Sequence, residues 1–203
     1  MVPAMTDKSR YHHGDLRHAL LQAGLSLLEE QGLDGLSLRA VAARAGVSHA
    51  GPAHHFATLK HLLTALAAIA FERFVAAMDD ARGRAGPDPR SQLAATGDGY
   101  VTFATANPQL FRLMFSATRL DWSDAHLQET ARAARQQLAD VCEPVAALRG
   151  IATPGGREQL QLLVWSVVHG YAHLLLSGQL HDASCATRAP PRPDLESLLF
   201  GPP

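Results

Sequence analysis

Apolar residues in this chain recur at three- and four-residue intervals, and they form no alternating runs of the kind a half-buried strand requires. From Asp15 to Gln31, Leu16, Leu20, Ala23 and Leu27 fall on one stripe and Leu21, Leu25 and Leu28 on its flank. This pattern confines the chain to an all-α architecture. Asp15 sits where a carboxylate meets the positive end of a helix dipole, and Gly32 supplies the stop. With 47% apolar residues in 203, the chain has enough material for a sizeable core.

The same reading predicts about nine helices. Ser37 is an N-cap ahead of Leu38–Ala45, and Gly46-Val47-Ser48 forms a three-residue turn. Ser48 then caps a short helix to about His55, and Thr58 caps a long one to about Arg82. The run from Gly83 to Pro89 breaks the pattern. Helices are expected at Arg90–Ala106, Pro108–Ser116, Ser123–Arg149 and Gly156–Ser177, with Pro144 ending or kinking the third of these. A last short one runs from Asp194 to Phe200. The Leu160–Leu176 segment carries two apolar stripes, Leu160, Leu163, Val167, Tyr171, Leu174 and Leu162, Trp165, His169, Ala172, Leu176. Such a helix must be covered on both sides, by its own core and by a symmetry mate.

Several classes of function fit poorly. Cys142 and Cys185 lie far apart with no CxxC partner, which argues against a disulfide framework or structural zinc and fits a reducing cytoplasm. No 18-residue apolar run is present, and Met1–Arg10 lacks the apolar stretch of a signal peptide, so no membrane partner is expected. The histidines at 12, 13, 49, 54 and 55 are dense but lack the carboxylates or cysteines of a metal site, and there is no HExxH. No GxSxG or βα alternation suggests a hydrolase. Neither catalytic residues nor a metal or other cofactor are therefore expected. Net charge is −1, with residues 1–60 only slightly basic, so charge alone does not select a nucleic-acid partner.

The decisive segment is residues 37–56, SLRAVAARAGVSHAGPAHHF. Ala42 is small where two helices must approach, Gly46 suits a left-handed turn, and Val41, Val47 and Phe56 can face the first helix. This is the layout of a helix-turn-helix whose second helix enters a major groove. On a helical wheel Pro52 and Phe56 point inward, while Ala50, Gly51 and His54, flanked by His49, Ala53 and His55, point outward. Ala50 and Ala53 suit thymine methyls, and His49 and His54 suit base acceptors or phosphates. Arg39 is the candidate for a bidentate guanine contact, and Arg17, Arg44, Lys60 and Ser48 are candidates for phosphates. Arg10 belongs with Lys8 to a basic arm ahead of the first helix.

From Tyr11 to Leu66 the chain resembles the DNA-binding domain of the TetR family. The resemblance rests on YHHGDLR, Leu27 to Gly32, LSLRAVAARAGVS, HHF and Leu62-Leu63. NPQLFRLMF and WSVVHG, with Trp165, His169 and Gly170, resemble the ligand domain of a TetR subgroup with a Trp-His-Gly signature. The resemblance implies a homodimeric regulator, usually a repressor, that binds operator DNA and is released by a small-molecule effector. Its domains would be residues 1–58, arm and helix-turn-helix, and residues 59–203, for effector binding and dimerisation. Ala53 and Leu59 stand where the family usually has phosphate-contacting Tyr and Lys, which implies weaker, less salt-dependent DNA binding or a relative that keeps the fold without strong DNA binding. The implied pocket lies within residues 62–178. Phe74, Met78, Tyr100, Phe103, Phe111, Met114, Phe115, Trp165 and Tyr171 are its apolar candidates, with His169, His173, Asn107 and Arg112 as polar groups.

Overall fold

The computed structural model describes residues 11–48, 50–180 and 191–200, the side chains of 11–15 and 196 excepted. Within them it holds eight α-helices, one 3-10 turn and no strand. The helices are α1 Tyr11–Gln31, α2 Leu38–Arg44, α3 Leu59–Gly83, α4 Pro89–Ala106, α5 Pro108–Met114, α6 Ala125–Leu148, α7 Pro154–Leu176 and α8 Leu195–Phe200. Side-chain caps set six starts: Ser37, Thr58, Asp88, Asp124, Thr153 and Asp194 each accept from the backbone N–H three residues on. Gly32, which follows α1, and Gly46, in the turn after α2, have φ of +70° and +71°, the left-handed conformation that a Cβ penalises.

Two expectations are corrected and a third is narrowed. The helix expected from Ser48 to His55 is only a 3-10 turn, Gly51–His54. Pro52 has no N–H to give the Ser48 carbonyl, which accepts instead from Gly51, three residues on, at 2.9 Å. The first helix begins at Tyr11, which moves Asp15 beyond the first turn. Pro144 does not end α6, which continues to Leu148. Pro144 lies on an exposed part of the helix, where losing one backbone hydrogen bond costs least.

α3 is the axis of the molecule. Its 25 residues span about 37 Å. Leu62, Leu66, Ala67, Phe71, Phe74 and Met78 are all buried along it. By length and composition α3 could cross a membrane, but these apolar positions lie in a core shared with α1, α4, α5 and α6. Gly99 lets α4 close on it: a Cβ there would sit 2.9 Å from the Ala77 carbonyl oxygen and the Met78 Cα. On α7 the buried line is Leu160, Val164, Val168 and Ala172, which runs between the two predicted stripes. Members of both stripes, Leu162, Leu163, Trp165 and Leu174, are exposed in the single chain. Cys142 is buried in α6, and burial pushes its thiol up to about 12, so it stays protonated and unreactive.

Candidate nucleic-acid interface and ligand cavity

The helix-turn-helix scaffold follows from its small and apolar residues. Val41, Ala42, Pro52 and Phe56 are buried and Val47 is half-buried, so one side of the unit is sealed against α1 and α3. The opposite side presents Arg39, Ser48, Ala50, Ala53 and His54, all exposed, with Gly51 and His55 half-buried. Arg10 and His49 lie outside the described residues. Arg39, in the first turn of α2, makes no hydrogen bond or ion pair among the described residues. Lys60 is exposed in the first turn of α3, and the Arg17 guanidinium rests 5.5 Å from the Phe56 ring centroid.

Arg44 is held elsewhere. It donates to both carboxylate oxygens of Glu30 at 2.9 and 2.6 Å and to the Ser26 hydroxyl at 2.8 Å. Arg44 and Ser26 together hold the Glu30 carboxyl down to about 2. This fork ties α2 to α1, so Arg44 in the free protein braces the unit that Arg39 sits on.

At the other end of α3, a cavity of about 180 Å³ opens between α3, α4, α6 and α7. Of the sequence candidates, Phe74, Met78, Tyr100, Phe115 and Trp165 line it. Phe103, Phe111 and Met114 do not: they are at most 4% exposed and belong to the core. His169, His173, Tyr171, Asn107 and Arg112 also lie outside the lining. The residues that sequence reasoning missed include Phe71, Leu93, Thr96, Trp122, Arg135 and Leu138. Phe71 stands at helical spacing from Ala67, Phe74 and Met78, a signal that could have found it, whereas Trp122 sits in a loop where periodicity gives no signal.

His169 supports the cavity from behind. The Tyr100 hydroxyl lies 2.6 Å from its Nδ1. Burial raises the Tyr100 phenol well above its usual range, with hydrogen bonding to Trp165 pulling the other way. Burial, aided by the neighbouring His173, lowers His169 to about 4. Both groups are therefore neutral at pH 7, and the phenol and the uncharged imidazole share one hydrogen bond. A consequence follows for stability. As pH falls below about 6.5 the unfolded chain takes up a proton at this histidine, and the folded chain does not until about 4. This contribution is thus full above pH 6.5 and is lost between about 6.5 and 4. His169→Gln, which keeps an acceptor for Tyr100, is expected to flatten the melting temperature over that window by a few degrees relative to the parent. Parallel melting curves for the two proteins from pH 7.5 to 4 check it, and superimposable pH slopes would refute it.

Among the described residues no three His, Cys, Asp or Glu side chains cluster closely enough to hold a metal. The loop between α5 and α6 joins cavity to scaffold. Phe115 and Trp122 contact Phe71 edge-to-face at 6.1 and 6.5 Å. In the same loop the Asp121 N–H donates to the Thr64 hydroxyl of α3 at 2.9 Å, and Arg119 pairs with Asp34 at 3.2 Å, close to the start of α2.

Comparison with known proteins places this geometry. Residues 20–66 match the family of bacterial regulatory proteins of the tetR type, and residues 93–189 match the tetracyclin repressor-like C-terminal domain. A protein of unknown function from Rhodococcus sp. RHA1 is 36% identical, with 85% of this chain and 89% of that one covered and a TM-score of 0.72. A TetR family transcription regulator from Marinobacter aquaeolei VT8 shares the fold at 21% identity, with 87% and 93% covered and a TM-score of 0.61. So does the regulator FadR from Bacillus subtilis, solved with stearoyl-CoA, at 14% identity, 91% and 98% covered and a TM-score of 0.66. No curated protein is significantly similar to the chain. With an N-terminal helix-turn-helix and a helical C-terminal domain each matching that family, the chain belongs to the TetR family of transcription regulators.

Proposed function

We propose that this protein is a homodimeric, cytoplasmic repressor without catalytic activity, released from operator DNA by a small and largely apolar effector. The observation that carries the reading is the joining of two sites by one helix. The exposed face around Arg39 and the apolar cavity lie toward opposite ends of α3, and the α5–α6 loop touches the cavity, α3 and Asp34 at once. A ligand that displaces Trp122 or Phe115 alters a loop tied to both the linker helix and the DNA-facing unit. Release is then a population shift between forms in which the two heads do or do not match half-sites about 34–36 Å apart.

In this reading Arg39 reads guanine. Arg17, Lys60 and Ser48 position the phosphates, with Arg10, and Arg44 braces the head unless DNA draws it from Glu30. Ala50, Gly51, Ala53 and His54 meet base edges with His49 and His55 beside them. Residues 1–58 form the reading head and 59–203 the effector and dimerisation part. The Trp-His-Gly signature has a structural sense here: Trp165 lines the cavity, and His169 anchors Tyr100. Within the chain nothing lies within 4 Å of where a Cβ on Gly170 would be. It sits on the face with Leu163, Val167 and Leu174, where a symmetry mate would approach.

The test is fluorescence anisotropy of a labelled duplex from the region upstream of the protein's own gene, with fractionated cell extracts and small-molecule pools added. At least one fraction is expected to lower the apparent affinity tenfold or more. If every fraction leaves affinity unchanged, the effector reading fails.

A further inference from the structure

Of the fifteen residues around the cavity, Arg135 alone carries a formal charge at neutral pH. The remainder are aromatic, aliphatic or glycine, apart from Thr96 and Tyr100, and both hydroxyls are already engaged. Thr96 donates to the Gln92 carbonyl at 2.8 Å, and Tyr100 is committed to His169. Arg135 lies on the exposed side of α6, with no hydrogen bond or ion pair to any described residue. Its neighbours do not behave this way. Gln137 reaches Asp79 at 2.7 Å and Gln136 reaches Asp140 at 2.8 Å, so the next two polar side chains along α6 find partners while the cation at the cavity rim does not. Arginine readily lays its aliphatic stem along an apolar wall and keeps its guanidinium at the water boundary.

Resting on the reading of this cavity as the effector site, we infer that the effector is an amphipathic monoanion, an alkyl or aryl carboxylate, with its carboxylate on Arg135 and its apolar body among Phe71, Phe74, Trp122 and Trp165. The guanidinium fork matches a carboxylate in two parallel hydrogen bonds. The uncharged inner wall excludes a second charge, because a buried ion without a partner is costly. Volume limits the body: a dry cavity of about 150 Å³ accepts a benzene ring, so this one takes a single ring or a medium-length alkyl chain.

The chain has two tryptophans, Trp122 and Trp165, and both line the cavity, so intrinsic fluorescence reports on occupancy directly. Octanoate and 1-octanol are the probes, matched in length and different in charge. Both are expected to change the fluorescence saturably. In Arg135→Gln the ratio of octanoate to octanol affinity is expected to fall about tenfold, with octanol affinity and melting temperature unchanged. Arg135→Lys, which retains the charge, is expected to keep part of the ratio. An unchanged ratio in Arg135→Gln overturns the assignment of the anion while leaving the cavity reading in place. Saturation by neither probe overturns the cavity as an effector site, and the assignment with it.

Discussion

Phe111→Ala is expected to cost about 3–5 kcal/mol of stability, the range found when a fully enclosed aromatic ring is deleted. Phe111 is 0% exposed. Its ring meets Tyr100 at 5.7 Å and Phe115 at 5.1 Å edge-to-face, and His169 and His173 at 5.7 and 5.4 Å. These neighbours come from α4, α7 and the end of α5, so they cannot collapse together into the space the ring leaves. For a chain of this length the loss corresponds to a fall in melting temperature of roughly 10 °C. Urea or thermal unfolding measures it. The result also decides between two roles for the residue. A cost under about 1 kcal/mol, joined to a loss of ligand affinity, would place Phe111 in the cavity rather than in the core.

Arg39→Ala carries the second large effect, on DNA rather than on stability. A bidentate arginine–guanine contact is worth about 1–3 kcal/mol of discrimination. The substitution is therefore expected to reduce preference for the upstream duplex over a scrambled one by about 5- to 150-fold. Binding to the scrambled duplex should change far less, because phosphate contacts carry it. Arg39 is suited to this role because it is exposed and unpaired among the described residues, whereas Arg44 is held by Glu30 and Ser26. Competition binding at fixed salt reads the ratio, and an intact preference would remove Arg39 from base recognition.

The helices were legible because their signals are local. Periodicity, capping residues and glycine stops located seven of the α-helices to within a few residues, and α1 missed only the four residues before Asp15. The recognition segment was misjudged because a wheel drawn through His49 to Phe56 ignores which carbonyl a proline leaves without a donor. Its inward residues, Pro52 and Phe56, are nevertheless buried. The cavity was harder to read. Phe74 and Phe111 have the same sequence signature, an aromatic at helical spacing, yet one lines the cavity and the other fills the core. Only the relative placement of α3, α4, α6 and α7 separates them. Arg135 reads in sequence as one more charge on a solvated face, and Trp122 as a loop residue. Their significance arises from tertiary contact alone.

The departures at Ala53 and Leu59 bear on how strongly the head grips DNA. Ala53 is exposed and offers no polar atom in its side chain, and Leu59 is half-buried against the core. Affinity then depends on Arg17, Arg39 and Lys60, which favours a shallow salt dependence. An electrophoretic mobility shift with purified protein and its own upstream DNA at about 50 mM salt, where phosphate contacts count most, is the most direct test of the account. The account predicts a saturable shift that survives an excess of scrambled duplex. A well-folded dimer that shifts neither duplex would contradict it, and would describe a protein that keeps this fold without binding DNA.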